Sequence, residues 1–451
     1  MKTTDAIAAT IPGYNPLNLP VPAAQAFLSA LATPVTETET VDILQALGRV
    51  LAADVVSPVS VPPHDNSAMD GYAFDGAQLQ GGQTLSLQVV GQVLAGHTWS
   101  TPIAAGQCLK IMTGAPMPPG LDSVVPHERV QLQAGRIHFD PSQLRRGANR
   151  RLAGEDVQQG QAAMHQGDRL APAALGLLAS LGLAQVRVYR RLRVAYFSTG
   201  DEILSPGEAP RAGAVFDSNR YTLFGLLTRL GVEILDLGVV RDDPAQLQTT
   251  LAQAARQADA ILTSGGVSTG DADHTRNMMA ALGDVVFWQL AMRPGRPMAV
   301  GRIRAGALQE LQEKNGSGAD NTCAGSYEKR SKSDALLLGL PGNPVAVAVA
   351  FTVLVRPVLL QMMGCNPAHA APQPLLRARS MQAIRKRPGR SEFPRGTLCR
   401  TENGQCGVRL VGNQGSGILS SVVQADVLVV LPEAQGDVAE GDAVDVMLLE
   451  G

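Results

Sequence analysis

The densest chemistry in the chain lies in Ile261-Leu-Thr-Ser-Gly-Gly-Val-Ser-Thr-Gly-Asp-Ala-Asp-His-Thr-Arg276. An apolar strand, Asp259 to Leu262, runs into a polar loop with three glycines that then opens a helix. Gly265 and Gly266 carry no side chain to keep a ligand from the backbone amides. A helix start beyond them offers unpaired N–H groups to an anion. Asp271 and Asp273 are hard oxygen ligands suited to a Mg²⁺ ion that bridges protein and phosphate. Together these types suggest a nucleotide-like ligand held with a divalent metal, although a glycine turn after a strand also serves as a plain βα connection.

Further polar constellations stand elsewhere. Pro62-Pro-His-Asp-Asn-Ser-Ala-Met-Asp-Gly-Tyr-Ala-Phe74 offers carboxylates and a hydroxyl at Asp65, Ser67 and Asp70, or else an elaborate turn bonding its own backbone. Thr113 is the side-chain donor in a Gly/Pro loop after a strand, and Glu155 and Asp156 follow Gly154. Thr199-Gly-Asp-Glu202 and Arg241-Asp-Asp243 place acids at strand ends. Arg293 and Arg296 lie on a stiff Pro/Gly loop able to pair with phosphate. A second basic cluster runs from Arg385 to Arg395, either a solvated face or an anion site. No Ser-His-Asp or Cys-His arrangement and no GxxxxGK[ST] motif occurs. Acids, hydroxyls and arginines without a protein nucleophile favour metal-assisted transfer of a phosphate-linked group.

The elements that must position these residues follow from patterning. At 451 residues the chain holds several domains. A net charge of −2 argues against a nucleic-acid binder. Five cysteines without a CxxC pair suit a reducing compartment. No signal-peptide core opens the chain, and the apolar run Val345–Met363 is broken by Arg356 and Pro357. It reads as a buried helix, giving a soluble, cytoplasmic protein without a membrane partner.

Residues 1–20 read as a loose arm and 22–56 as helical, ending near Gly48. Short alternating runs from Val61 to about Gly154 suggest a small β-rich domain, and 156–187 are mixed with a helix around 172–181. Strand–helix alternation over 191–365 predicts an open, largely parallel α/β sheet. Its strands are expected at 193–198, 233–238 and 259–263, with helices near 218–230, 244–257 and 274–282. Ligands in such sheets sit at the carboxyl ends of the strands, so the loops at 199–202, 241–243 and 264–268 should share a crevice. Residues 303–335 read as a flexible insertion, and 372–451 as a second β domain.

Seven segments in order resemble molybdopterin molybdenumtransferase, the MoeA family related to the gephyrin E domain. They are Asp65–Ala73, Met112–Pro116, Gly154–Asp156, Ser198–Glu202, Ser264–Ser268, Pro294–Pro297 and Leu340–Pro344. The resemblance covers residues 22–451 and implies a multidomain fold. Its parts would be a flexible arm (1–21), an elongated discontinuous helical domain (22–61 and 157–190), a β-rich domain (62–156), an α/β molybdopterin-binding domain (191–370) and a C-terminal β-barrel (371–451). It also implies an elongated homodimer with shared active sites. The implied reaction takes adenylylated molybdopterin and molybdate and releases AMP with Mg²⁺ assistance.

Carried onto matching positions, Asp70 and Thr113 of one subunit would face the α/β crevice of the other. Asp156, Glu202, Asp242 and Asp273 would line that crevice, with Glu202, Asp242 and Asp273 toward metal. Ser264, Gly265, Gly266, Ser268, Arg293, Arg296, Pro341, Pro344, Arg395 and Ser416 would contact substrate. The chain departs from the pattern at Gln289, where the family often has lysine, and in the length of its 303–335 insertion. Implied partners are a molybdopterin adenylyltransferase and a molybdoenzyme chaperone. Two other readings are an adenylyltransferase on the same α/β fold and a gephyrin-like scaffold. The extra β domains oppose the first, and acids at Asp70, Glu202 and Asp273 oppose the second.

Overall fold

In a computed structural model the described residues are 2–79, 83–266, 278–307 and 334–449. The chain divides into two compact units, one of Met1–Glu39, Gly48–Val50 and Tyr189–Gly451, the other of Thr40–Leu47 and Leu51–Val188.

The larger unit is built on a six-stranded sheet in the order Glu233–Val240, Arg193–Thr199, Ala260–Ser264, Ala335–Leu340, Pro297–Ile303, Gly283–Gln289. The first four strands pair in parallel. The last two pairings are antiparallel, so the expected α/β sheet is mixed at one edge. Fully buried runs such as Ala260–Ser264 and Ala335–Leu340 suit central strands covered on both faces. Helix Asn219–Leu230 ends at Gly231, whose φ of 84° provides the left-handed cap. Helix Pro244–Gln257 starts where Asp243 accepts the N–H groups of Ala245 and Gln246 at 2.8 and 3.1 Å.

Residues Pro344–Met362 form the expected interior helix, 78% buried although its length and composition would suffice to cross a membrane. It passes through a wide turn at Phe351–Val355 just before Arg356-Pro357. Proline cannot donate to the helical ladder, and the widened turn absorbs that missing bond. Beyond it, Leu376–Ser380, Cys406–Leu410, Arg395–Arg400, Val427–Val430 and Ala443–Leu448 close into a five-stranded barrel. The expected insertion falls mainly outside the described residues, and of the helix expected near 274–282 the described part, 278–282, is helical.

The first twenty residues do not hang loose. Thr4 donates its amide and hydroxyl to Asp284, Arg302 donates to the carbonyls of Lys2 and Leu31, and Ile7 and Leu19 are fully buried. Helix Val21–Leu31 follows, but the helical expectation for 22–56 stops there, because the next regular element is the strand Thr38–Asp42. Pro34 ends the helix, and the β-branched run from Val35 to Val41 favours extension.

In the smaller unit a second six-stranded sheet runs Ser123–Pro126, Gly71–Phe74, Gln107–Ile111, Leu85–Val93, Arg136–Phe139, Gln131–Gln133. Helix Pro172–Ser180 packs in a separate cluster with Leu51, Leu170, Leu178 and Val188.

One ion pair in the larger unit makes stability pH-dependent. Burial would raise the Asp236 pKa, but Arg220, the Gly238 N–H and the Tyr196 hydroxyl together hold it below the ordinary carboxylate value. A depressed folded pKa gives stability that is present above the unfolded value of about 3.9 and lost as pH falls through the folded one. Asp236→Asn should therefore narrow the difference in thermal midpoint between pH 7 and pH 3. An unchanged difference would show that the pair contributes nothing.

Candidate active site

The carboxyl ends of the parallel strands open into a cleft of about 1220 Å³. The loop after Arg193–Thr199 brings Glu202, the loop after Glu233–Val240 brings Asp242, and the end of Ala260–Ser264 brings Ser264, Gly265 and Gly266. The convergence expected at strand ends is therefore present for these described residues.

Ser264 is buried and accepts a hydrogen bond from Asn219 Nδ2 at 2.7 Å. Gly265 donates its amide to the Leu340 carbonyl at 3.1 Å, tying the glycine loop to the neighbouring strand end. Its φ is 92°, and a Cβ there would lie 2.7 Å from the Thr199 carbonyl oxygen. Gly265→Ala must strain the backbone by about 1–3 kcal/mol and displace that strand end. We expect a lower thermal midpoint together with loss of activity, and a variant matching the parent in both would remove the steric argument.

The same cleft carries an arginine wall. Arg293, Arg296, Arg385, Arg390 and Arg395 line the cleft, with Glu392 among them. Arg390 lies 3.4 Å and Arg293 4.0 Å from Glu392. Arg395 is 2% exposed and donates to Ser421 Oγ at 3.1 Å and the Gly415 carbonyl at 3.1 Å. Burial lowers its pKa, and the nearby Arg293 charge lowers it further. The cleft thus holds carboxylates suited to a metal and arginines suited to anions.

Pro341 and Ser416 also line the cleft, whereas Pro344 starts the adjoining helix and is not among the lining residues. Ser268, Asp271 and Asp273 lie outside the described residues. Gln289 ends the edge strand beside Pro297, is not among the lining residues, and its backbone bonds Pro16 and Leu19.

Asp70, Thr113 and Asp156 belong to the smaller unit. There the three polar segments expected from the sequence meet. Ser67 donates its amide to Ala115, Met117 to Asp65, and Asp156 to Val61 at 3.0, 2.8 and 3.1 Å. Ala153 donates to the Asp65 carboxylate at 2.8 Å. Asp70 Oδ1 accepts the Thr113 hydroxyl at 2.6 Å and the Thr113 amide at 2.7 Å, and these bonds hold its carboxyl below the ordinary range. Asp156 is exposed.

Sequence reasoning missed Asp217 and Asn219, both in the cleft wall. The available signal was Asp217-Ser-Asn219 at the mouth of a helix, which reads equally well as a cap. Asp217 Oδ1 indeed accepts the Arg220 amide at 3.0 Å, the usual way to satisfy a helix start.

Three comparisons bear on this arrangement. Residues 19–182 match the MoeA N-terminal region (domain I and II), 195–361 a probable molybdopterin binding domain, and 377–449 the MoeA C-terminal region (domain IV). The chain is 37% identical to molybdopterin molybdenumtransferase of Haemophilus influenzae, covering 91% of this chain and 94% of that protein. It is 33% identical to the protein of that name from Nostoc, covering 92% and 89%. The crystal structure of the molybdopterin biosynthesis moeA protein from Pyrococcus horikoshii superposes with a TM-score of 0.74 at 26% identity, covering 96% of this chain and all of that one. With similarity running through both units and a cleft of this chemistry, the chain belongs to the molybdopterin molybdenumtransferase (MoeA) family.

Proposed function

We propose that the protein acts in molybdenum cofactor biosynthesis by inserting molybdate into adenylylated molybdopterin with release of AMP. The observation that carries this reading is the mixed polarity of one cleft, which is lined both by Glu202 and Asp242 and by the arginine wall. A pyrophosphate linkage that is held with a metal and opened beside an oxyanion needs both kinds of group.

Mg²⁺ is commonly held by one or two carboxylates completed by substrate phosphate oxygens and water. Glu202 and Asp242 fit that donor set, with Asp273 proposed as a further carboxylate. Among the described residues no group of three His, Cys, Asp or Glu side chains forms an all-protein cage. The ion would supply charge neutralisation at the pyrophosphate. The protein's own part is to orient the substrate and stabilise charge. Gly266 leaves backbone open to the phosphate, with Gly265 spending its amide on Leu340, while Arg293, Arg296 and Arg395 attract molybdate and the departing phosphate. Freeing AMP adds one water across the pyrophosphate bond, and the oxide that molybdate sheds on ligating the dithiolene supplies it, so the linkage opens only when molybdate is in place.

We place Asp70, Thr113 and Asp156 at the cleft of a second copy, making a homodimer with shared sites. The adenylyltransferase that supplies the substrate and a chaperone that takes the product are the expected partners.

The deciding measurement is AMP release from adenylylated molybdopterin with and without molybdate. Release that requires molybdate supports the reading, and release indifferent to it overturns it. AMP transfer from ATP to molybdopterin would favour the adenylyltransferase reading instead. In the same assay Asp273→Asn should lower turnover sharply while the protein stays folded, since the change keeps volume and removes charge. Full activity in that variant would end the proposed metal role of Asp273.

A further inference from the structure

Four buried side-chain atoms, three of them on residues that line the cleft, have no hydrogen-bond partner among the described residues. They are Asp217 Oδ2, Asn219 Oδ1, Thr199 Oγ1 and Thr263 Oγ1. Buried polar groups are satisfied in more than about nine cases in ten, so four orphans in one region require an explanation. Asp217, Asn219 and Thr199 are 4, 9 and 6% exposed, and all three line the cleft.

The surroundings fix which atom of each group is left unpaired. Asp217 Oδ1 is occupied by the Ser198 hydroxyl and the Arg220 amide, both at 3.0 Å, leaving Oδ2 over. Asn219 spends its Nδ2 on Ser264 Oγ and the Gly342 carbonyl, both at 2.7 Å. Its amide orientation is thereby set, and Oδ1 can only accept. Asp217 and Asn219, two residues apart, therefore each keep one buried unpaired acceptor oxygen, one of them on a carboxylate, and the unpaired Thr199 hydroxyl of the same lining can donate.

We propose that Asp217 and Asn219 form the subsite that reads a 2-amino-4-oxopyrimidine edge. That edge carries two adjacent donors, a ring N–H and an exocyclic amino group, with a carbonyl oxygen alongside. The donors complement the two acceptors, and the Thr199 hydroxyl complements the carbonyl. Leaving these oxygens unpaired in a buried site costs more than the bonds gain, so a ligand lacking the donors is rejected. Both pterin and guanine carry this edge, and the proposed function selects pterin. Adenine differs in that its ring nitrogen beside the amino group is an acceptor. The inference rests on the molybdopterin reading and assigns the pterin end of the substrate to this wall.

Binding to the whole protein should be measured with 6-hydroxymethylpterin, 6-hydroxymethyllumazine, GMP, AMP and Mg²⁺ alone. Lumazine replaces the 2-amino donor by a carbonyl. The wild-type protein should bind the pterin at least about tenfold more tightly than the lumazine, and more tightly than GMP. Asp217→Asn keeps an acceptor for Ser198 and Arg220 while turning a donor toward the cleft. The preference should shrink or reverse in that variant. Equal binding of pterin and lumazine by the wild type overturns the proposal without any variant. So does preferential binding of GMP or AMP, or a variant that loses only Mg²⁺. A wild-type protein that shows molybdate-dependent AMP release yet ignores the 2-amino group would retain the proposed function and lose this subsite.

Discussion

Mixing inactive Asp70→Ala chains with inactive Glu202→Ala chains will recover about a quarter of wild-type activity, if each active site draws on two subunits in a closed dimer. Half the dimers formed by random exchange are mixed, and each of those carries one undamaged site of two. The two residues sit in different compact units, Asp70 braced by Thr113 and Glu202 in the strand-end cleft. Neither substitution touches a buried apolar cluster, so both chains should fold and exchange. The measurement is AMP release against mixing ratio, with exchange followed by differently tagged chains. If exchange is complete and the mixture stays inactive, Asp70 and Glu202 serve a site within one chain.

Arg395→Met should separate activity from stability. The parent guanidinium is almost fully buried and is met by neutral oxygens from Ser421, Gly415 and Asn413. Burial and the Arg293 charge both disfavour its protonated form. A cation kept in such a place loses solvation that an incoming oxyanion can offset. Methionine fills similar space without the charge. Turnover should fall by about 10²–10³, the usual effect of removing one preorganised donor to a charged transition state. The thermal midpoint should hold or rise in the absence of ligand. Added molybdate should raise the midpoint of the parent and not of the variant. A variant that melts early would show that Arg395 chiefly braces the loop at 413–421.

Much of the site was legible because its residues punctuate strand ends. Glu202, Asp242 and Ser264–Gly266 follow runs whose apolar pattern is unmistakable, and the strand rule then brings them together. Ser416 was placed by resemblance alone, and Arg395 stood only as the end of a basic cluster that could equally be solvated surface, since the closure of a barrel depends on pairings distant in sequence. Asp217 and Asn219 escaped because a residue that caps a helix and one that faces a ligand share the same types. Helical periodicity misled beyond residue 31, where a β-branched run overrode it once cross-strand pairing was available. The arm at 2–20 was misread because its polar composition hides the few buried anchors, Ile7 and Leu19 among them.

That arm has a role in solution behaviour. Gly283–Gln289 is the last strand of its sheet, and the chain start lies along it, with Leu19 and Pro16 bonded to Gln289 and Thr4 to Asp284. An outermost strand left bare is a template onto which another molecule can add its own ribbon. The first twenty residues act as a built-in selvedge, finishing the fabric so that it does not ravel into its neighbours. Proteolytic trimming there should shorten the shelf life of concentrated protein well before it slows turnover.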